Sequence, residues 1–216
     1  MDRDTYLARW STNHGGYDPR ASRWVLGWLK AVYLVASPLA RWRVPPDLLT
    51  ASGLVVGTAV VASASAGERW PLLATLLVLG CALLDGLDGA VATLLATSSA
   101  WGQVLDSFVD RCTDLLMLAA LWVLGAPPQL CIAAGALTLL QESARATASA
   151  TGLRGVGVLT VWERPSRIIL ATLAFLAAGV RPASADTVVT LGAAAATALA
   201  TVGVVQLLVS IHRRLS

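Results

Sequence analysis

The sequence predicts an all-α integral membrane protein, with six transmembrane helices preceded by an N-terminal interfacial amphipathic helix. Composition is the first reason. Of the 216 residues, 56% are apolar and only 13% are charged, whereas soluble domains carry about 25% charged residues. Long apolar runs recur along the chain, and the basic residues gather on one side of them. These observations argue against a soluble globular enzyme and, despite a net charge of +3, against a nucleic-acid-binding protein.

Residues 1–46 hold too many charges to cross a bilayer and form the predicted cytoplasmic or interfacial N-terminal segment. Apolar side chains recur within it at helical spacing, next to basic residues. These apolar residues are Trp24, Val25, Trp28, Leu29 and Val32. The pattern predicts an amphipathic helix in the cytoplasmic interface of the membrane. Pro45 and Pro46 end the segment, and Asp47 is the expected N-cap of the first span.

Six apolar stretches make up the predicted membrane domain, residues 47–216. A helix needs about 20 mostly apolar residues to cross a bilayer. The predicted spans are 48–67, 71–95, 101–124, 130–150, 168–180 and 187–212. The fifth extends backwards over 163–167, and the first and sixth contain no charged residue.

Basic residues predict the orientation of these spans. Six spans place both termini on the same side of the membrane. Thirteen of the 16 lysines and arginines lie on that side, and only Arg69 and Arg181 lie on the other. Since cytoplasmic loops are enriched in basic residues, we expect a multi-pass protein of the cell (plasma) membrane with cytoplasmic termini.

Five aspartates lie within the second and third spans, where each costs about 2.5–3.5 kcal/mol to insert. They are Asp85, Asp88, Asp106, Asp110 and Asp114. Spacings of three and four residues place Asp85 with Asp88, and Asp106 with Asp110, on one helix face each. Both pairs lie near the predicted cytoplasmic loop 96–100, so we expect the cluster near the cytoplasmic side.

A cluster of carboxylates at low dielectric needs protons or a multivalent cation to offset its repulsion. An all-oxygen site suits Mg²⁺, Mn²⁺ or Ca²⁺, and four carboxylates suffice for two metals about 3.5–4 Å apart, as in phosphate chemistry. Two alternatives are a set of buried ion pairs with Arg111 and a cation or proton transporter. Asp114 is also open to a smaller role, orienting Arg111 or a neighbouring ligand.

The aspartates form a motif. It reads Asp85-Gly-Leu-Asp88-Gly89-Ala-Val-Ala92-Thr93, eight further residues, and Gly102-Gln-Val-Leu-Asp106-Ser-Phe-Val-Asp110. This closely resembles the signature of the CDP-alcohol phosphotransferase family, D-x-x-D-G-x-x-A-R-x(8)-G-x-x-x-D-x-x-x-D, with Thr93 in place of the family's Arg. The stretch Pro46-Asp47-Leu-Leu-Thr50-Ala-Ser-Gly53 is similar to the family's P-N-x-x-T-x-x-G.

The resemblance implies an enzyme of phospholipid biosynthesis that displaces CMP from a CDP-linked donor, usually CDP-diacylglycerol, with an alcohol acceptor. It implies that Asp85, Asp88, Asp106 and Asp110 bind two Mg²⁺ or Mn²⁺ ions and that Asp110 is the general base. The implied donor-binding residues are Asp47, Thr50, Asp85, Gly86, Gly89 and Asp106. It also implies a homodimer and an active site on the cytoplasmic side. Thr93 leaves a catalytically inactive member as an alternative, because threonine offers no cationic fork to a phosphate.

A second resemblance concerns the acceptor. The stretch 105–114 is similar to the L-D-S-x-x-D-R-x-x-D form found in actinobacterial phosphatidylinositol phosphate synthases, and 143–167 resembles their K-A-R-A, G-L-R-G and E-R-P-x-R motifs. The implied acceptor-binding residues are Arg145 and Arg167, followed by Arg154 and Arg164. Ser143 and Leu207 replace two cations of that pattern. We expect inositol phosphate or another phosphorylated polyol as the acceptor, with an uncharged alcohol as the alternative.

Overall fold

The computed structural model describes residues 1–13, 15–153 and 159–215, and within these ranges the chain is helical with no strand. The α-helices are α1 (Arg3–Asn13), α2 (Arg23–Arg41), α3 (Pro46–Ser65), α4 (Pro71–Leu95), α5 (Ala100–Val123), α6 (Pro128–Ala150), α7 (Arg164–Val180) and α8 (Ala185–Leu215). Short 3-10 helices cover Pro19–Ala21 and Pro182–Ser184. Helices α3 to α8 match the six predicted spans to within a few residues.

Three of these elements are long and apolar enough to cross a membrane: Pro46–Ser65, Pro71–Leu95 and Pro182–Leu215. Helices α5, α6 and α7 carry most of the charged side chains discussed below, and their spanning of the membrane stays a prediction. Asp47 was expected to be an N-cap, and this was wrong. Helix α3 begins at Pro46, because proline is favoured in the first helical turn, so Asp47 lies inside that turn.

Helix α1 was not predicted. The Asp2 carboxylate accepts a hydrogen bond from the Thr5 amide at 2.8 Å, and hydrogen bonding from Thr5 lowers the pKa of Asp2. Tyr6 and Leu7 are buried in a hydrophobic cluster with residues of α2 and α4 such as Leu29, Val32, Leu87 and Val91. Long-range packing therefore holds a helix whose own sequence has little apolar character.

Helix α2 is longer than the segment that predicted it. Ser22 begins it, with its hydroxyl accepting from the Val25 amide at 3.5 Å. Leu29 and Val32 on this helix are buried, whereas Trp24 is 89% exposed. The buried face packs on the cluster shared with α1 and α4.

The chain divides into two compact units. Unit 1 comprises Met1–Val55 and Gly80–Asp110, and unit 2 comprises Val56–Leu79 and Arg111–Ser216. Unit 1 contains α1, α2, the first half of α3 and the parts of α4 and α5 that carry Asp85, Asp88, Asp106 and Asp110. Unit 2 contains α6, α7 and α8 together with the remaining parts of α3, α4 and α5.

In unit 2, a buried polar group fixes the segment that precedes α7. The Gln141 amide donates to the Trp162 carbonyl at 3.0 Å and to the Thr160 hydroxyl at 2.9 Å. The Trp162 indole donates to Thr138 at 2.8 Å. A Cβ at Gly203 would lie 2.7 Å from both Gln141 and Trp162, so the glycine is what allows α8 to approach.

Candidate active site

A cavity of about 820 Å³ lies in unit 1. Its walls come from α1, α2, the start of α3, the C-terminal half of α4, the loop after α4 and the start of α5. The residues on this wall that the motif had singled out are Asp47, Thr50, Asp85, Gly86, Asp88, Gly89, Thr93, Gly102 and Asp106. All six predicted donor-binding residues therefore share one cavity.

Three carboxylates of unit 1 converge. Asp85 on α4 and Asp106 and Asp110 on α5 each offer a carboxylate oxygen, and these oxygens lie within 4.8 Å of one another. Each of the three residues is half-buried. Asp106 and Asp110 share a face because they are one helical turn apart. Three anionic oxygens at this separation form a donor set that fits a hard divalent cation such as Mg²⁺ or Mn²⁺.

Asp88, the fourth predicted ligand, stands outside this group of three. Its side chain is buried, with 6% exposure. One carboxylate oxygen accepts from the Thr50 hydroxyl at 2.5 Å, and the other accepts from the Gly89 amide at 2.6 Å. These bonds orient Asp88 on the cavity wall, and its role as a metal ligand stays a prediction.

The two glycines on α4 have different surroundings. A Cβ at Gly86 would lie 3.3 Å from Val32 and 3.4 Å from Trp28, so Gly86 allows α4 to pack against α2. A Cβ at Gly89 would meet no atom within 4 Å. Since Gly89 also lines the cavity, it keeps open space there that a ligand could occupy.

The predicted acceptor arginines lie in unit 2, in a network of ion pairs. Arg167 is only 7% exposed. It donates to Asp114 at 2.7 Å, to Glu142 at 2.8 Å and to the Trp162 carbonyl at 3.1 Å. Removal of one partner from such a buried group is strongly destabilising, because it leaves an uncompensated charge.

Other arginines complete this network. Arg145 donates to Glu163 at 2.7 Å, and Arg164 lies 3.6 Å from an Asp114 oxygen. Arg111 lies 3.8 Å from Glu142. Asp114 therefore pairs with Arg164 and Arg167, which the sequence had not suggested as its partners.

Glu142 had not been singled out from the sequence, and Glu163 had been noted only as part of the E-R-P-x-R motif. The usable signal was their place within the same run that carries the arginines. Arg154, the remaining predicted acceptor residue, lies outside the described residues.

Comparison with known proteins identifies the family. Residues 43–211 match the family described as CDP-alcohol phosphatidyltransferase. The chain belongs to this family. It is 37% identical to the archaetidylinositol phosphate synthase of Aeropyrum pernix over 146 residues, which cover 65% of this chain and 72% of that protein. It is 36% identical to the phosphatidylinositol phosphate synthase of Cutibacterium acnes over 92 residues, which cover 41% of this chain and 42% of that one.

Solved structures share the fold of this family. The Mycobacterium tuberculosis phosphatidylinositol phosphate synthase with CDP-DAG bound aligns with a TM-score of 0.70 at 22% identity, covering 84% of this chain and 94% of that chain. A structure of the same enzyme with manganese and citrate also aligns with a TM-score of 0.70, at 24% identity, covering 83% and 88%. These likenesses establish the architecture of the chain.

Membership in the CDP-alcohol phosphatidyltransferase family confirms the resemblance read from the aspartate motif. It makes this protein a transferase that moves a phosphatidyl group from a CDP-linked donor to an alcohol. Thr93, the residue that departs from the family motif, lies on the cavity wall. The Thr93 hydroxyl donates to the Gly89 carbonyl of its own helix at 2.8 Å, so this hydroxyl is directed at the backbone.

Proposed function

We propose that this protein transfers the phosphatidyl group of CDP-diacylglycerol to a hydroxyl of inositol phosphate, or of a closely related phosphorylated polyol, and releases CMP. One observation carries the proposal: all six residues predicted to bind the donor line the cavity of unit 1, and two of them, Asp85 and Asp106, belong to the group of three carboxylates that Asp110 completes. Its volume of about 820 Å³ falls in the range of about 300–1,000 Å³ found for small-molecule sites.

The carboxylates Asp85, Asp106 and Asp110 would hold the metal, with Asp88 as the fourth ligand if two ions bind. When bound, Mg²⁺ or Mn²⁺ supplies positive charge that offsets the charge of the donor's pyrophosphate. Thr50 holds Asp88 in a fixed orientation. Such preorganisation matters because a site that is already in place has no reorganisation cost during the reaction.

Asp110 is the proposed general base. It would take the proton from the acceptor hydroxyl as the acceptor oxygen bonds to the phosphorus that carries diacylglycerol. The bond from that phosphorus to the bridging oxygen then breaks, and CMP leaves with the electron pair. A carboxylate suits this task because the neighbouring groups can tune its proton affinity.

The proposed acceptor follows from the relatives and from the arginines of unit 2. One named relative is an archaetidylinositol phosphate synthase and the other is a phosphatidylinositol phosphate synthase, so the names of both products contain inositol phosphate. Arginine binds phosphate through two parallel N–H bonds, and Arg145, Arg164 and Arg154 are the proposed phosphate contacts. Arg167 is already bonded to Asp114 and Glu142, so we propose that it positions this network.

We further propose that all six helices α3 to α8 span the plasma membrane, with the active site and both termini cytoplasmic. Helix α2 would lie in the membrane interface, since indole rings favour that region. A homodimer is proposed from the family resemblance. Three helices already have the length and hydropathy for crossing.

The test is CMP release by purified protein in detergent with CDP-diacylglycerol and Mg²⁺ or Mn²⁺. Inositol phosphate, glycerol phosphate, free inositol and no acceptor are compared in parallel. We expect release with inositol phosphate that depends on metal and is lost in Asp110→Asn but kept in Asp186→Asn, an exposed aspartate at the start of α8. Full activity of Asp110→Asn would refute the proposed base.

Two other results would redirect the assignment. Cation or proton flux in sealed vesicles without nucleotide, and no CMP release, would favour the transporter alternative. No release that becomes measurable in Thr93→Arg would favour an inactive family member.

A further inference from the structure

The charge of the unit 1 cavity poses a problem for the proposed donor. Among described residues that line it, four are aspartates (Asp47, Asp85, Asp88 and Asp106) and none is a lysine, arginine or histidine. A CDP-linked donor brings the negative charge of a pyrophosphate. The family motif has an arginine at position 93, where this chain has threonine. Metal ions can offset part of this charge, but no cation on the cavity wall does so.

An arginine from another helix reaches position 93. The Arg9 guanidinium on α1 donates to the Thr93 carbonyl at 3.4 Å. Tyr6 and Trp10 both line the cavity, and Arg9 lies three residues after Tyr6, on the same side of α1. The exposed Arg9 side chain therefore lies at the edge of the cavity, beside the residue that departs from the motif.

Helix α1 is held firmly enough for Arg9 to act from this position. Tyr6 is 2% exposed, and its ring centroid lies 5.5 Å from that of Tyr33 on α2. The Tyr33 hydroxyl in turn donates to the Met1 carbonyl at 3.0 Å. A long bond to a neutral carbonyl occupies one of the five N–H donors of the guanidinium, and the others can serve a phosphate.

We propose that Arg9 binds a phosphate of the CDP-linked donor and so replaces, from α1, the cation that position 93 lacks. The inference rests on the proposed function for the identity of the donor. It assigns a binding role to a helix that lies outside residues 43–211, the part of the chain that matches the family. Arginine suits this role because its planar fork matches phosphate oxygens.

The test compares equilibrium binding of CDP-diacylglycerol in detergent, with Mn²⁺ present, alongside CMP release. Arg9→Gln keeps an N–H donor near the Thr93 carbonyl and removes the charge. We expect it to raise the Kd and KM for CDP-diacylglycerol about tenfold, as loss of one charge-assisted hydrogen bond does, with the KM for the acceptor unchanged. Arg9→Lys should weaken donor binding less than Arg9→Gln does, because it keeps the positive charge. Arg3→Gln, which removes the same charge from the exposed first turn of α1, should bind like the wild type.

The second arm moves the cation to the family position. In a Thr93→Arg background, Arg9→Gln should cost less than twofold in donor binding, because the charge is already supplied there. The inference would be overturned if Arg9→Gln bound CDP-diacylglycerol as tightly as Arg3→Gln does. It would also be overturned if Arg9→Gln weakened donor binding as much in the Thr93→Arg background as in the wild type. Thermal unfolding of each variant separates weak binding from loss of α1.

The outcomes for Arg9 and for the proposed function can be told apart. A wild type that binds CDP-diacylglycerol but releases no CMP with any acceptor would refute the proposed function, and the shift in binding would still decide the role of Arg9. A wild type that does not bind this donor would refute both.

Discussion

The hydroxyl of Thr50 donates to the carboxylate of Asp88 at 2.5 Å, and both side chains are buried. The bond joins the first turns of α3 to the motif on α4. Thr50, a predicted donor-binding residue, and Asp88, a predicted metal ligand, are therefore in direct contact. Their separate positions in the sequence did not reveal this contact. Because a buried carboxyl group needs hydrogen-bond partners, Thr50 has a structural reason to be a hydroxyl.

Removal of this hydroxyl should therefore reduce activity more than it reduces the stability of the fold, because Asp88 loses the bond that orients it. We expect Thr50→Val to lower kcat for CMP release by about 10–100-fold, the loss typical when a partner that orients a metal ligand is removed. Thr50→Ser should retain most activity because it keeps the donor. Steady-state kinetics with varied Mn²⁺ should show a raised metal requirement in the valine variant.

The control is Thr75→Val. Thr75 is equally buried on α4, but its hydroxyl donates to the Pro71 carbonyl of its own helix at 3.0 Å. Thr75→Val should leave the metal dependence of CMP release unchanged. An equal effect of both substitutions on the metal requirement would contradict a specific role for the Thr50–Asp88 bond.

The two motif glycines should respond in opposite ways to alanine. Alanine is favoured over glycine in a helix by about 1 kcal/mol. Gly89→Ala meets no atom within 4 Å, so it should keep or raise the unfolding temperature while raising the KM for the donor, because the methyl group fills the cavity. Gly86→Ala would press on Val32 and Trp28 and should lower the unfolding temperature. Measuring both properties in both variants tests this; a destabilised Gly89→Ala with a normal KM would contradict it.

The sequence predicted the positions of α3 to α8 well because apolar runs of about 20 residues are a strong and local signal. The motif also predicted that Asp85, Asp106 and Asp110 would meet. It could not predict α1, since Tyr6 and Leu7 are stabilised by residues distant in the sequence. The ion pairs of Asp114 with Arg164 and Arg167 were not predicted for the same reason, because these partners come from α7, which is distant in the sequence.

Removal of the metal should abolish the activity of the wild type. Substitution of a carboxylate ligand should weaken metal binding. We expect chelation with EDTA to stop CMP release and added Mn²⁺ or Mg²⁺ to restore it. Asp106→Asn should weaken Mn²⁺ binding by about 100-fold or more, since even changes beyond the direct ligands cost about 10–100-fold. Titration of Mn²⁺ followed by paramagnetic resonance reports this without turnover. If Asp106→Asn bound Mn²⁺ as tightly as Asp186→Asn does, Asp106 would not be a metal ligand.

Arg167 should matter more to stability than the neighbouring Arg145. Arg167→Met would leave Asp114 and Glu142 without their shortest ion pairs, and breaking a buried pair typically costs about 3–5 kcal/mol. We expect a large fall in unfolding temperature in detergent, partly recovered when Asp114→Asn is added, because the uncompensated charge is then gone. Arg145→Gln, at a more exposed ion pair with Glu163, should change the unfolding temperature little and instead raise the KM for the acceptor. A stable Arg167→Met with a selective acceptor defect would mean that Arg167 binds the substrate directly.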